Sequence, residues 1–197
     1  GYVRDHPILL GAISLDLFAV LLGGVTALLP IYARDILHAG PWALGVLRSA
    51  PAIGAMAASV ILAHRAISGH AGAIMFAAVG AFGLASLLFA LSTWIPLSCL
   101  ALAVYGAADS ISVVIRQSLI QMRTPYDMLG RVAAVNSMFT GSSGSLGEFR
   151  AGAIAAWLGA VPSALIGGIG AIAVMLIWMW GFPQLRQADK LGPEGPT

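Results

Sequence analysis

The residues able to do chemistry in this chain are ionisable and hydroxyl side chains set inside long apolar runs. Asp16 is the single charge between Ile8 and Ile31, and Arg48 the single charge between Trp42 and Ala63. From Tyr105 to Gly152 the polar residues concentrate: Asp109, Ser110, Ser112, Arg116, Gln117 and Gln121, then, past Thr124-Pro125, Asn136, Ser137, Thr140, Gly141-Ser142-Ser143-Gly144-Ser145, Glu148 and Arg150. A charge at mid-bilayer depth costs at least about 2.5–3.5 kcal/mol, so such groups face a protein interior or a water-filled path. Asp16, Asp109, Glu148, Arg48 and Ser112 are therefore the candidates for a translocation path or proton coupling. Each has a plainer reading. Asp16 as a buried aspartate holds neighbouring backbone or hydroxyls, and Glu148 with Arg150 sits near an interface. Arg116, Arg123 and Arg131 read as cytoplasmic anchors or gate residues, with Asp127 four residues before Arg131, where a helix start favours an acid and the two can bridge.

Other chemistries lack their parts. Gly141-Ser142-Ser143-Gly144 matches the G-x-S-G pattern of rhomboid intramembrane proteases, but a nucleophilic serine needs a nearby base, and no histidine follows His70. Without a G-x-x-x-x-G-K-[ST] loop there is no P-loop ATP site. His6, His38, His64 and His70 fall in loops or at helix ends with no metal-ligand spacing, so no metal and no cofactor is expected. Cys99 is alone, which precludes an intrachain disulfide. A net charge of +2 without basic clusters gives no case for nucleic acid.

The elements that must position these residues are membrane helices. Of 197 residues, 59% are hydrophobic and 9% charged, against about 25% charged in soluble domains. Runs of roughly 20 apolar residues cross a bilayer as helices. Six are expected: about Ile8–Ile31, Trp42–Ala63, Ala73–Leu91, Pro96–Met122, Met128–Leu158 and Pro162–Phe182. Arg4, Arg65, Arg116, Arg123, Arg131, Arg186 and Lys190 collect on one side and Arg34 on the other, which puts both termini in the cytoplasm. The tail from Gln184 reads as disordered, so the expected organisation is a bundle over 1–186 and a cytoplasmic tail over 187–197. Trp94, Trp157, Trp178 and Trp180 read as interfacial belt residues, and Gly141 to Gly147 as a close-packing stripe.

Spans one, two, four and five carry charge and spans three and six carry none. The period of three reads as two inverted three-helix repeats, a construction used by secondary transporters, with the bare helices meeting lipid. At about 1.5 Å per residue, Asp16 lies roughly 12 Å in, and Asp109 roughly 10 Å above an Arg116 that snorkels to the cytoplasmic surface, so the two aspartates share a level. Arg48 and Glu148 lie toward the outer side and are expected to pair.

The run Gly106-Ala107-Ala108-Asp109-Ser110-Ile111-Ser112-Val113-Val114-Ile115-Arg116-Gln117, with Thr124-Pro125, Gly130-Arg131-Val132-Ala133-Ala134-Val135-Asn136-Ser137 and Gly147-Glu148-Phe149, resembles the C-terminal half of the enterobactin-exporter-like branch of the major facilitator superfamily. Ser14-Leu15-Asp16-Leu17-Phe18 and Leu28-Leu29-Pro30-Ile31-Tyr32-Ala33 resemble the first helix of that half. The resemblance implies helices seven to twelve of a twelve-helix transporter with alternating access, whose partners are a missing N-terminal six-helix half, the lipid bilayer, a small solute and protons. It implies proton-driven export of siderophore-like or drug-like solutes from the inner membrane. The chain departs from it in a depleted loop at Ala63 to His70 and in Arg150, where similar proteins often carry an acid. The competing expectation is a non-transporting membrane scaffold or a self-assembling six-helix channel.

Overall fold

Once a chain this apolar enters hydrocarbon, each backbone N–H and C=O must be satisfied within its own segment, and helix follows. The computed structural model describes residues 7–64 and 71–181. Arg4, His6, Arg65, His70, Phe182, Arg186, Lys190 and the tail lie outside the described residues, as does the side chain of Arg123. Among the described residues there are six long helices and no strand: α1 (Pro7–Leu22), α2 (Pro41–His64), α3 (Ala71–Leu91), α4 (Ile95–Arg123), α5 (Tyr126–Leu158) and α6 (Ala160–Gly181). Five segments are long and apolar enough to cross a membrane: α1 with its continuation to Ile36, α2, α3, α4 and α6. The serines, glycines, Asn136 and Thr140 of α5 make it too polar to join them, although its 33 residues are more than long enough.

The first run is not the single helix expected to Ile31. It breaks at Gly23-Gly24, where Gly24 takes a left-handed φ of 79°. The chain continues as a 3-10 turn (Val25–Leu28), one α-turn (Leu29–Ile31) and a π-turn (Tyr32–Ile36). Pro30 lies at the start of the short α-turn, where its missing N–H costs nothing, so it does not close the run. Pro51, in turn, is absorbed inside α2.

α2 packs on α4, α3 on α4 and α6, and α1 on α4, α5 and α6. The α2–α4 seam is a backbone contact. A methyl group on Gly54 would run into the Ala103 carbonyl, and one on Gly106 into the Pro51 carbonyl. One apolar core joins Leu15, Met75, Ile115 and Leu119, and a second joins Leu28, Tyr32, Leu47, Phe89 and Leu102.

The uncharged helices are not the most exposed ones. In its most apolar window α3 is 56% buried, and α2 only 22%. α3 and α6 do keep exposed aliphatic residues, Leu84, Leu88, Ile169 and Ile177 among them, but α3 also gives this half its packed interior. Apolar surface is buried wherever neighbours are available: α2 packs mainly on α4, whereas α5 packs on α1, on α6 and on the turn that follows Gly24.

α5 has three faces at 100° per residue. Val132, Asn136, Ser143, Gly147 and Ala151 are buried. Met138, Leu146, Phe149 and Trp157 form an exposed apolar face, and Ser137, Gly141, Ser145, Glu148 and Gly152 an exposed small and polar one. The expected packing stripe is thereby corrected: Gly141 and Gly144 have open space around them, and only Gly147 meets backbone closely, at Val20 and Leu21. Trp94, Trp157 and Trp180 are exposed near helix ends. Trp178 instead points inward, its indole N–H donating to Ser14 Oγ at 2.8 Å.

Candidate functional site: a buried carboxylate and guanidinium cluster

Asp16 sits midway along α1, and its partners come from a helix 100 residues later. Ser112 Oγ donates to Asp16 Oδ1 at 3.1 Å, and Arg116 Nη1 donates to Asp16 Oδ2 in an ion pair. The same nitrogen donates to Thr140 Oγ1 of α5 at 3.2 Å, and Thr140 donates onward to the Asn136 carbonyl at 2.9 Å. Asp16 is 2% exposed, Ser112 3%, Arg116 1% and Asn136 2%, so the cluster ties three helices together out of reach of lipid. Arg116 Nε and Asn136 Oδ1 are buried without a hydrogen-bond partner among the described residues, which is uncommon in native interiors.

Asp109 stands apart from these bonds. It is half-buried and no hydrogen bond or ion pair holds it among the described residues. It lines a small cavity together with Asp16, Ala19, Val20, Val79, Phe82, Ala108 and Ser112. About 10 Å³ there is open to the centre of a water molecule, close to the minimum for one water. Two carboxylates thus line one cavity, and only Asp16 engages the guanidinium of Arg116. Stacking of Phe82 on Tyr105, with ring centroids 4.2 Å apart, closes the apolar side of this region.

Arg116 corrects the expectation that it snorkels to the cytoplasmic surface. Seven residues, about two turns, put it on the same face of α4 as Asp109, and that face is the one that meets Asp16 of α1. Asn136 and Thr140, four apart on α5, were visible as polar residues but carried no sign that they reach Arg116.

The remaining candidates disperse. Arg48 is exposed on α2 and Glu148 exposed on α5. Among the described residues no ion pair joins them, because α2 packs on α4. Glu148 Oε1 accepts instead from Thr26 Oγ1 at 3.2 Å. Arg123 closes α4 and Asp127 opens α5 across the Thr124-Pro125 turn. Asp127 and Arg131 are both exposed and form no bridge, as surface pairs on one helix gain little from holding two side chains still. No group of three or more His, Cys, Asp or Glu is placed to hold a metal among the described residues.

Arg150, not among the expected site residues, is a half-buried cation on α5. Its Nε donates to the Leu21 carbonyl at 3.2 Å, and its Nη2 to the Leu22 carbonyl and to the Gly23 carbonyl at 2.9 Å.

Comparison with known proteins places the chain in a family. A family profile described as transmembrane secretion effector matches residues 6–193. The enterobactin exporter EntS of Citrobacter koseri is 27% identical over 212 residues, covering 96% of this chain and 49% of that protein. EntS of Shigella flexneri is 26% identical over 205 residues, covering 96% and 48%. EntS of Salmonella paratyphi A is 27% identical over 151 residues, covering 76% and 36%. The chain spans about half the length of the curated relatives it matches. These relatives are exporters, and the chain is an integral membrane protein of a transporter family, not an enzyme. It belongs to the transmembrane secretion effector family of the major facilitator superfamily.

Proposed function

We propose that this chain is the C-terminal half of a twelve-helix, proton-coupled exporter of siderophore-like or drug-like solutes, working by alternating access in the inner membrane. The observation that carries the reading is the surplus carboxylate: Asp109 shares a cavity with Asp16, while Asp16 alone holds the guanidinium of Arg116. An uncompensated charge in a low-dielectric interior is costly, and a proton on the surplus carboxylate removes that cost. Asp109 is accordingly the group that gains and loses the coupled proton, Asp16 and Arg116 set the field it feels, and Ser112 fixes the Asp16 carboxylate.

In this reading α5 crosses the membrane as the sixth span, and the two three-helix repeats are inverted. Both termini are cytoplasmic, with Arg123 and Arg131 as anchors at the α4–α5 turn. The exposed small and polar face of α5 and the exposed Arg48 of α2 meet the solute path rather than lipid. The length of the curated relatives supports a preceding half as the partner. Their printed name, enterobactin exporter, supports a siderophore as the solute.

The test is retention of candidate siderophores and dyes by cells with and without the intact protein. Lower retention of at least one such solute in cells carrying it is the expected result. Equal retention of all of them removes the export reading and leaves a scaffold.

A further inference from the structure

An α-helix that stops leaves its last carbonyls without N–H partners, and at membrane depth each such group costs several kcal/mol. At the Gly23-Gly24 break, the left-handed turn of Gly24 carries the following amides away from the end of α1. The carbonyls of Leu21, Leu22 and Gly23 are met from outside the helix by one side chain, the guanidinium of Arg150 on α5. A cation at a helix C-terminus also opposes the negative end of the helix dipole.

Three glycines let the neighbouring helices reach this joint. Gly147 abuts the Val20 and Leu21 carbonyls, Gly167 the Leu22 and Gly23 carbonyls, and Gly170 the Leu22 side chain. A Cβ on Gly24 would lie 2.8 Å from the Gly147 carbonyl carbon. Just beyond the break Thr26 bonds Glu148, so two residues of one α5 turn grip both sides of it. The segment past the break is itself irregular, passing through 3-10, α and π turns within Val25–Ile36. It is anchored at its far end by Tyr32, whose hydroxyl donates to the Ala90 carbonyl at 3.1 Å and whose ring packs on Phe89.

We infer that the Gly23-Gly24 break is a joint and that Arg150 is the positioning residue that latches it: its three hydrogen bonds fix the end of α1 on α5, which with the Thr26–Glu148 bond just past the break sets the direction in which the Val25–Ile36 segment leaves, and they are released when that segment moves. Glycine supplies the conformational freedom, and the guanidinium supplies a polar hold beside the apolar packing of Leu28 and Tyr32. The purpose of the motion rests on the transport reading. The existence of the latch does not.

The experiment is a spin-label distance measurement on the protein in lipid nanodiscs, with Cys99→Ser as background and labels at His38, past the segment, and Trp157, at the far end of α5. Both positions are exposed. Wild type is expected to give one dominant distance, with any minor state at about 0.1–10%. Arg150→Gln is expected to raise the ratio of a second distance to the first about tenfold, which corresponds to about 1.4 kcal/mol. Arg150→Lys, which keeps the charge without the fork, is expected to fall between them. An unchanged single distance in Arg150→Gln overturns the latch. Should Arg150→Gln fail to reach the membrane, an unchanged distance in Arg150→Lys overturns it equally, because a merely structural cation would be rescued in full. Retention assays read separately, so a loss of export with no change in distance counts against the latch and leaves the transport reading standing.

Discussion

Asp16→Asn keeps the shape of the side chain and removes the charge that faces Arg116. Both partners are nearly inaccessible, with side chains 3% and 2% exposed, so the guanidinium left behind cannot turn to water. Removing one member of a buried pair costs about 3–5 kcal/mol. For a chain of this length each kcal/mol moves the melting midpoint by about 2–4 °C, so the variant should melt roughly 6–20 °C lower. The combined Asp16→Val, Arg116→Met variant removes both charges, and replacing a buried pair by apolar groups is often neutral or stabilising. It should therefore recover most of the loss, with Ser112 able to turn its hydroxyl to the carbonyl one turn back. The assay is tryptophan-fluorescence melting of purified protein in one lipid composition. A single variant that melts within about 2 °C of wild type, or a double variant as unstable as the worse single, refutes the reasoning that the pair is isolated and mutually required.

Gly54→Val and Gly106→Val should each prevent α2 from seating on α4, because the new carbons fall on the carbonyls of Ala103 and Pro51. Quantitative blots of membrane fractions should show a severe loss for both, while Gly141→Val, with nothing within 4 Å, leaves the level near wild type. Tyr32→Phe removes the hydrogen bond to the Ala90 carbonyl and should cost about 0.5–1.5 kcal/mol in the same melting assay. Arg48→Glu combined with Glu148→Arg should behave as the sum of the two singles, since no contact joins the residues; restored function in the swapped double variant contradicts this geometry.

How much of this could be read beforehand differs from residue to residue. Asp16, Asp109, Ser112 and Arg116 stand out in the chain because hydrocarbon makes any polar side chain conspicuous; the two aspartates do line one cavity, but the count that set them at one depth started from an Arg116 at the cytoplasmic surface, which is instead buried on Asp16. Helix limits were legible for the same reason: Pro41, Ile95 and Tyr126 begin helices within about two residues of the expected starts. The break at Gly23-Gly24 was not legible, because glycine is common within membrane helices and φ is not written in composition. The direction of Arg116 was missed because a snorkelling cation and a buried one have identical local sequence. Only the partner on α1 distinguishes them, and tertiary pairing lies beyond any window on α4. The assignment of α3 to lipid describes only one of its faces, the one with Leu84, Leu88 and Leu91. Absence of charge tells that a helix tolerates an apolar surround but not whether lipid or protein supplies it, and Met75, Phe76, Val79, Phe82 and Phe89 find protein.

The central claim is that Asp109 carries the coupled proton, and it is tested most directly by solute uptake into everted membrane vesicles under an imposed pH gradient. Vesicles with the intact protein should take up the solute when the gradient is present and stop when it is collapsed. Asp109→Asn, at equal membrane abundance, should lose the gradient-driven part and keep exchange of solute for solute. Gradient-driven uptake at the wild-type rate in Asp109→Asn contradicts the account.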